Sequence, residues 1–271
     1  MEKLVSICVP VFNGEGTIEE TLQSIRSQTY SNMEIIVVDN CSTDKTVEII
    51  QSIEDDRIHF YQNATNLGMV GNWNKCLEYV TGEYVHFVSA DDNLMPECIE
   101  KKLKLIEQNQ TVSMVFSASQ VINEKNEVVM YRHPYKKDSV LEGKKLAKKS
   151  YHARNIFGEL SNVLFRAELV SQVGGFAKNT CYATDWDFWL RIACTGDVGY
   201  VNQELMQYRI STTNTTSQIR YATFLDDDKV MIQNMKEYGC LELSAMDHGI
   251  HRVMYIARMF ARRAYMILKS R

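Results

Sequence analysis

The sequence predicts an α/β fold: a mainly parallel central sheet flanked by helices, with a helical extension at the C-terminus. Three observations carry this expectation. Short apolar runs alternate with segments of helical periodicity through the first half, the pattern of strand–helix–strand units. The first four strand-like runs each lead into a polar loop, at Phe12-Asn13-Gly14, Asp39-Asn40, Asn63 to Gly68 and Asp91-Asp92-Asn93. After Asp247 the chain sets Arg252, Arg258, Arg262, Arg263, Lys269 and Arg271 among Met, Ile, Phe and Tyr, as a basic amphipathic helix would.

Each element has its own signal. Val5 to Val11 is an unbroken apolar run and reads as a buried first strand. A helix follows from Thr17, with Thr17 and Glu20 as a capping box and Ile18, Leu22 and Ile25 on one face. Glu34 to Asp39 is the second strand, and Asp44 caps a helix carrying Val47, Ile50 and Ile53. Ile58 to Tyr61 is the third strand, Val70 to Tyr79 a helix, and Glu83 to Ser89 the fourth strand. His86 lies inside that strand and reads as a core residue rather than a ligand. Beyond Pro96 a helix runs to about Glu107, followed by the strand Ser113 to Ser117. Lys136 to Lys149 reads as a solvated loop and helix, Ser161 to Phe165 as a strand, Gly174-Gly175 as a break, and Thr184 to Ile192 as a helix.

A chain of 271 residues, 45% hydrophobic and 24% charged, can bury a full core and shows no sign of disorder. Its formal net charge of −4 argues against nucleic acid as a partner. Seven cysteines without a CxxC fit reduced thiols in a cytoplasmic setting. No apolar run approaches the ~20 residues that span a bilayer, and Met1 to Leu4 leads into a strand rather than a signal peptide.

In open α/β sheets ligands bind outside the carboxyl ends of the strands, so four polar loops on one rim imply a composite pocket and a nucleotide-binding first half. Neither GxGxxG after the first strand nor GxxxxGK[ST] is present. Paired carboxylates holding a divalent cation, at Asp91 and Asp92, are the substitute for a glycine-rich phosphate cradle.

Together these residues resemble a family-2 glycosyltransferase of the GT-A fold. The matching pieces are Val9-Pro10-Val11-Phe12-Asn13, Val37-Val38-Asp39-Asn40 with Ser42-Thr43-Asp44, and Asn66-Leu67-Gly68. They continue with Gly82-Glu83-Tyr84 leading to Asp91-Asp92, then Gly174-Gly175-Phe176 and Asp185-Trp186-Asp187. The order and spacing over about residues 4–210 are specific where any one piece is not. The resemblance implies inverting transfer of a sugar from a nucleoside diphosphate sugar, UDP- or dTDP-linked, to a saccharide hydroxyl, in surface polysaccharide assembly.

Asp39 then accepts a hydrogen bond from a base N–H, with Pro10, Val11, Phe12, Asn13 and Gly68 around the nucleotide. Asp91 resembles the ribose-binding carboxylate and Asp92 the ligand of a magnesium or manganese ion. Asp185 resembles the general base, with Asp187 as its alternative, and the positive helix end is expected to keep it ionised. Trp186 is a candidate for stacking on a sugar, with Trp189 beside it and core packing as the competing role. Arg209 is a candidate diphosphate contact.

The chain departs from the family pattern in three places: Ser89 stands where the metal motif usually begins with an acid, Thr184 precedes the base, and Ile210-Ser211 replaces a histidine after Tyr208-Arg209. Residues 1–215 form the expected transferase domain, nucleotide-binding to about 95 and acceptor-binding from 96, and 216–271 the helical extension. The basic extension suggests either peripheral contact with the inner face of a membrane, near a lipid-linked acceptor, or packing within the fold or a dimer. A nucleotidylyltransferase and a non-catalytic glycan-binding module are the rival readings. The first would want a Gly-rich basic loop where Phe12-Asn13-Gly14-Glu15 stands.

Overall fold

The computed structural model describes residues 2–181, 183–211 and 221–269, with side chains of the last helix described as far as Ala257. The strands, in chain order, are β1 (Val5–Val11), β2 (Met33–Asp39), β3 (Ile58–Gln62), β4 (Tyr84–Phe87), β5 (Asn93–Leu94), β6 (Val112–Ile122), β7 (Val128–Arg132), β8 (Ser139–Leu141), β9 (Val163–Arg166) and β10 (Asp197–Arg209). The helices are α1 (Ile18–Arg26), α2 (Thr46–Gln51), α3 (Gly68–Glu78), α4 (Cys98–Gln108), α5 (Gly143–Ala153), α6 (Leu169–Val173), α7 (Thr184–Ala193), α8 (Tyr221–Glu237) and α9 (Ala245–Lys269).

One sheet in the order β3-β2-β1-β4-β9-β6-β10-β5 runs through the molecule, with β7 on β6 and β8 on β10. The side expected to bind a nucleotide is parallel, as the sequence predicts: β1 pairs in parallel with β2 and β4, and β2 with β3. The other side is mixed, because β9 runs antiparallel to β4 and β6, and β5 and β8 run antiparallel to β10. β1 and β2 are buried at every position, which is why both read as continuous apolar runs rather than alternating ones. The pairing of β4 with β1 stops at Cys8, two residues before Pro10, so the sheet opens where that proline has no N–H to offer.

Two apolar cores sandwich the sheet. Ile18, Leu22 and Ile25 of α1 and Ile99, Leu103 and Ile106 of α4 pack on one face, as their spacing predicts. On the other face Cys76, Leu146, Tyr151, Phe188, Trp189 and Met231 bring α3, α5, α7 and α8 together. The lysine-rich stretch resolves into β8 and α5, whose Leu146, Ala147 and Tyr151 turn inward while its lysines stay outside. His86 is buried in the core, as expected, but beside a second polar group that no pattern announced. Lys102 Nζ lies 3.2 Å from His86 Nε2 and donates to the carbonyl of Asn162 at 2.8 Å. Burial and this neighbouring ammonium hold the imidazole well below its ordinary range, so it is neutral.

The capping box at Thr17 and Glu20 does not form. Thr17 Oγ1 donates instead to the carbonyl of Ala90 at 2.8 Å, and Glu20 Oε1 accepts from Asn93 Nδ2 at 2.7 Å. Both side chains that would have closed the helix on itself tie it to the loop after β4. The expected boundary between residues 215 and 216 lies outside the described residues. Among the described residues no helix is long and apolar enough to cross a membrane, and all seven cysteines are free thiols.

Candidate active site

The carboxyl ends of β1 and β2 are laced together by side-chain bonds. Asn13 sits at φ 49°, a left-handed conformation asparagine tolerates. There its backbone N–H donates to Ser42 Oγ at 2.9 Å and its Oδ1 accepts from the N–H of Thr43 at 2.9 Å. Asp39 ends β2 fully buried; its Oδ2 accepts from the N–H of Ser42 at 3.0 Å and from Gln62 Nε2 at 3.1 Å. Its Oδ1 is buried and has no partner among the described residues, an acceptor that a base N–H would satisfy. Phe12 leaves 48% of its surface exposed beside the turn, while Val11 is buried. Gly68, at φ +73°, opens α3, and its N–H is held by Asn66 Oδ1 at 2.8 Å.

Beneath these loops lies a ladder of asparagines that no sequence pattern groups together. Asn40 Nδ2 donates to Asn66 Oδ1 at 2.9 Å, and Asn63 Nδ2 donates to Asn40 Oδ1 at 3.1 Å and to Asn72 Oδ1 at 2.9 Å. Asn72 Nδ2 then donates to the carbonyl of Val38 at 2.9 Å. The ladder fixes the start of α3 against the end of β2 with its buried amides paired.

The acidic pair after β4 divides its work unequally. Asp92 is buried, with Oδ2 accepting from Ser161 Oγ at 2.5 Å and Oδ1 from the N–H of Arg209 at 3.0 Å. A cation expected on Asp92 would have to share both oxygens with these donors. Asp91 is half-buried and its carboxylate carries no such clamp; burial raises its affinity for a proton, opposed by the Arg209 charge. Arg209 does not reach outward to a phosphate. Its Nε donates to the carbonyl of Asp91 at 2.9 Å, its Nη2 to Glu20 Oε2 at 3.0 Å, and its Nη1 to Asn126 Oδ1. Arg209 is therefore a clasp that closes β10 over the acidic loop.

Asp185 occupies the first turn of α7, where its Oδ1 accepts from the N–H of Trp186 at 2.6 Å. Burial and the nearby charge of Glu159 push its carboxyl up to about 7. The helix end was expected to keep it ionised; desolvation outweighs that field. Asp187 is engaged elsewhere, in a buried pair with Arg191 at 2.7 Å and with Asn234 Nδ2 at 3.0 Å. Arg191 also donates to the carbonyls of Val173 and Gly175, so this pair fastens the Gly174-Gly175 turn to α7. Gly174 adopts φ +70°, and a Cβ on Gly175 would run into Asn74 Oδ1, the acceptor for the N–H of Phe176. Trp186 is only 3% exposed, with Nε1 donating to Ser150 Oγ at 2.9 Å, and Trp189 is fully buried. Trp189 is closed to a sugar, and Trp186 reaches the wall of the cleft beside Asp185 with only this small surface.

A cleft of about 560 Å³ opens against Asp185, walled by β7 with Tyr131 and Arg132 and by the segment from Arg154 to Asn162, with Tyr208 at its edge. Asp39, Asp91 and Asp92 do not line this cleft. The connection runs through Glu159, whose charge acts on both Asp92 and Asp185, and through Ser161 and Arg209 on the two sides of the acidic loop. Glu159 and Ser161 were missed in the sequence because they precede β9 in a segment with no motif of its own.

Among the described residues no cluster of three acidic, histidine or cysteine side chains forms a ready metal site. The donors present, one open carboxylate at Asp91 and a second carboxylate behind it, fit a magnesium or manganese ion that takes most of its remaining ligands from phosphate oxygens and water.

Residues 6–172 match the family model described as glycosyl transferase family 2. The chain belongs to glycosyltransferase family 2. It is therefore an enzyme of sugar transfer from a nucleotide sugar, and the rival nucleotidylyltransferase and non-catalytic readings fall away. An uncharacterized glycosyltransferase of Haemophilus influenzae is 30% identical over 240 residues, covering 87% of this chain and 74% of the relative. Among solved structures, residues 1–349 of TarS from S. aureus, in complex with UDP-GlcNAc, superpose with a TM-score of 0.75 at 18% identity, covering 93% of this chain and 71% of that one. The mannosyltransferase PcManGT of Pyrobaculum calidifontis, in complex with GDP-Man and Mn2+, gives a TM-score of 0.61 at 19% identity, covering 94% and 70%. At such identities the structures attest the GT-A fold, and this family-2 chain shares it.

Proposed function

We propose that this family-2 glycosyltransferase moves a sugar, with inversion, from a UDP- or dTDP-linked donor to a saccharide hydroxyl presented in the cleft beside Asp185. The observation that carries the reading is Asp185 itself: a carboxylate on the cleft wall, anchored through the Trp186 N–H and tuned to about 7, where a general base works best at neutral pH. It takes the proton of the acceptor hydroxyl as that oxygen attacks the anomeric carbon, and the bond to the diphosphate breaks on the opposite side. Inversion follows from the single displacement.

Asp39 presents its unpartnered Oδ1 to the base N–H, and Phe12 supplies the exposed apolar surface against the ring. Asp91 is the carboxylate for the divalent cation and the ribose side, and Asp92 holds the loop in place behind it. A magnesium or manganese ion held there would supply positive charge against the leaving diphosphate. The Mn2+ and GDP-Man in PcManGT, and the UDP-GlcNAc in TarS, support a metal-assisted nucleotide-sugar donor here.

The C-terminal helix supports a place at a membrane surface. Met246, Ile250, Val253 and Met254 of α9 form an exposed apolar stripe at helical spacing, with arginines continuing along the sequence. Such a face suits a lipid-linked acceptor on the cytoplasmic side and a role in surface polysaccharide assembly.

The test is Asp185→Asn in an assay of UDP release from UDP-sugars with manganese. Turnover is expected to fall about 10²–10⁴-fold while UDP still binds. Unchanged turnover would overturn the assignment of the base.

A further inference from the structure

Among the described residues, one cation of the acceptor cleft has no partner. Arg132 pairs with Glu159 and lies over the Tyr208 ring at 5.4 Å. His133 is held between Asn202 Oδ1 at 2.9 Å and Glu204 Oε1 at 2.7 Å. Arg154, the third cation on the wall, is exposed, and among the described residues its guanidinium has neither ion pair nor hydrogen bond.

Its backbone, by contrast, is fixed. The Arg154 carbonyl accepts from Ser150 Oγ at 3.0 Å, and Asn155 closes the following turn by donating to the carbonyl of Gly158 at 2.7 Å. An unpaired guanidinium carried on a fixed backbone at a cleft wall is a recognition element for a carboxylate or phosphate.

Arg154 shares the cleft with Asp185, whereas Asp39, Asp91 and Asp92 do not line it. A group bound at Arg154 therefore lies on the side of the proposed base rather than of the nucleotide rim, which is the side of the acceptor. Tyr131 on β7 also lines the cleft and is 60% exposed, so its ring is available to a sugar of any charge.

We infer that the acceptor is an anionic saccharide, bearing a carboxylate or phosphate that Arg154 binds while Tyr131 stacks on a ring and Asp185 meets the reacting hydroxyl. This rests on the transferase reading of the same cleft and names the class of its acceptor.

The test is a glycan array probed with the full chain loaded with UDP and manganese. Its panel pairs uronic-acid oligosaccharides with their carboxyl-reduced counterparts, and phosphodiester-linked glycans with dephosphorylated ones. Binding is expected to favour the anionic member of at least one pair by about 10–100-fold, the range of a charge-assisted bond. Which pair responds identifies carboxylate or phosphate as the source. Arg154→Gln should reduce that ratio to near one and Arg154→Lys restore part of it, whereas Tyr131→Ala should weaken both members alike. Because the readout is a ratio, partial loss of folded protein cancels. Equal binding within every pair, binding to no member of the panel, or a ratio that survives Arg154→Gln would overturn the inference. UDP release from UDP-sugars, measured in parallel, reports on the transferase reading separately. An array without charge preference alongside intact, Asp185-dependent turnover removes only the anionic acceptor.

Discussion

Burial first, and the charge of Glu159 after it, set the range in which the proposed base Asp185 titrates. A base that must be ionised to act gives kcat/KM rising with pH through about 7, the value to which burial and Glu159 push Asp185. Glu159→Gln removes the repelling charge, so the acid limb should move to lower pH; a limb that stays in place would separate Glu159 from the base. The same shift acts on stability. The folded Asp185 binds its proton more tightly than the unfolded chain, whose aspartates titrate near 3.9, so its ionisation opposes folding progressively between about pH 4 and 7 and fully above. Asp185→Asn should therefore melt higher than wild type at pH 8, with the gap closing near pH 4, as differential scanning calorimetry would record. Asp39, Asp91, Asp92 and Asp185 could all be picked out of the sequence as candidates because each ends a strand, lies in the loop after one, or begins a helix within a known order. Their division of labour could not. Whether Asp91 or Asp92 is open depends on Ser161 and Arg209, far along the chain, and no local pattern reports that Arg209 turns inward to Glu20.

The α7 helix owes its position to a pair that sequence reading treated as an alternative base. Asp187 and Arg191 are both 1% exposed and join α7 to the glycine turn and to Asn234 of α8. Arg191→Leu would leave Asp187 buried without its cation, and destabilisation of about 3–5 kcal/mol is expected in urea unfolding. A loss under 1 kcal/mol would mean that the pair is not what holds the helix. The central strands and amphipathic helices were legible because burial on both faces or on one stripe leaves a plain apolar signature. β7 was not, since all five of its residues escape full burial and no alternation marks it. β10 was hidden likewise, its second half mixing Asn202, Gln203, Glu204 and Gln207 with buried Leu205 and Met206. The failed capping box at Thr17 has a related cause. Tertiary partners at Ala90 and Asn93 compete for the same oxygens and win.

At the scale of the molecule, a parallel side built on β1 to β4 and a mixed side share one sheet, and the acidic loop between β4 and β5 follows the strand where they meet. The helical extension is fastened through its buried side, with His251 stacked on Tyr151 at 4.2 Å and Asp247 paired to Lys148 at 3.0 Å, which leaves the apolar stripe outside. Substituting that stripe is a cleaner probe than truncation, which would strip Asp247 and His251 from α5. Ile250→Glu with Val253→Glu should abolish sedimentation with anionic liposomes while preserving the melting temperature; unchanged sedimentation would remove the membrane contact. The account as a whole depends on the rim of β1, β2 and β4 holding a nucleoside diphosphate. Calorimetric titration of UDP in the presence of manganese, against wild type, Asp39→Ala and Asp91→Asn, tests this directly. Saturable binding by wild type, weakened about tenfold or more by each substitution, is the predicted result. Equal affinity in all three proteins, or no binding of any nucleoside diphosphate by wild type, would contradict it.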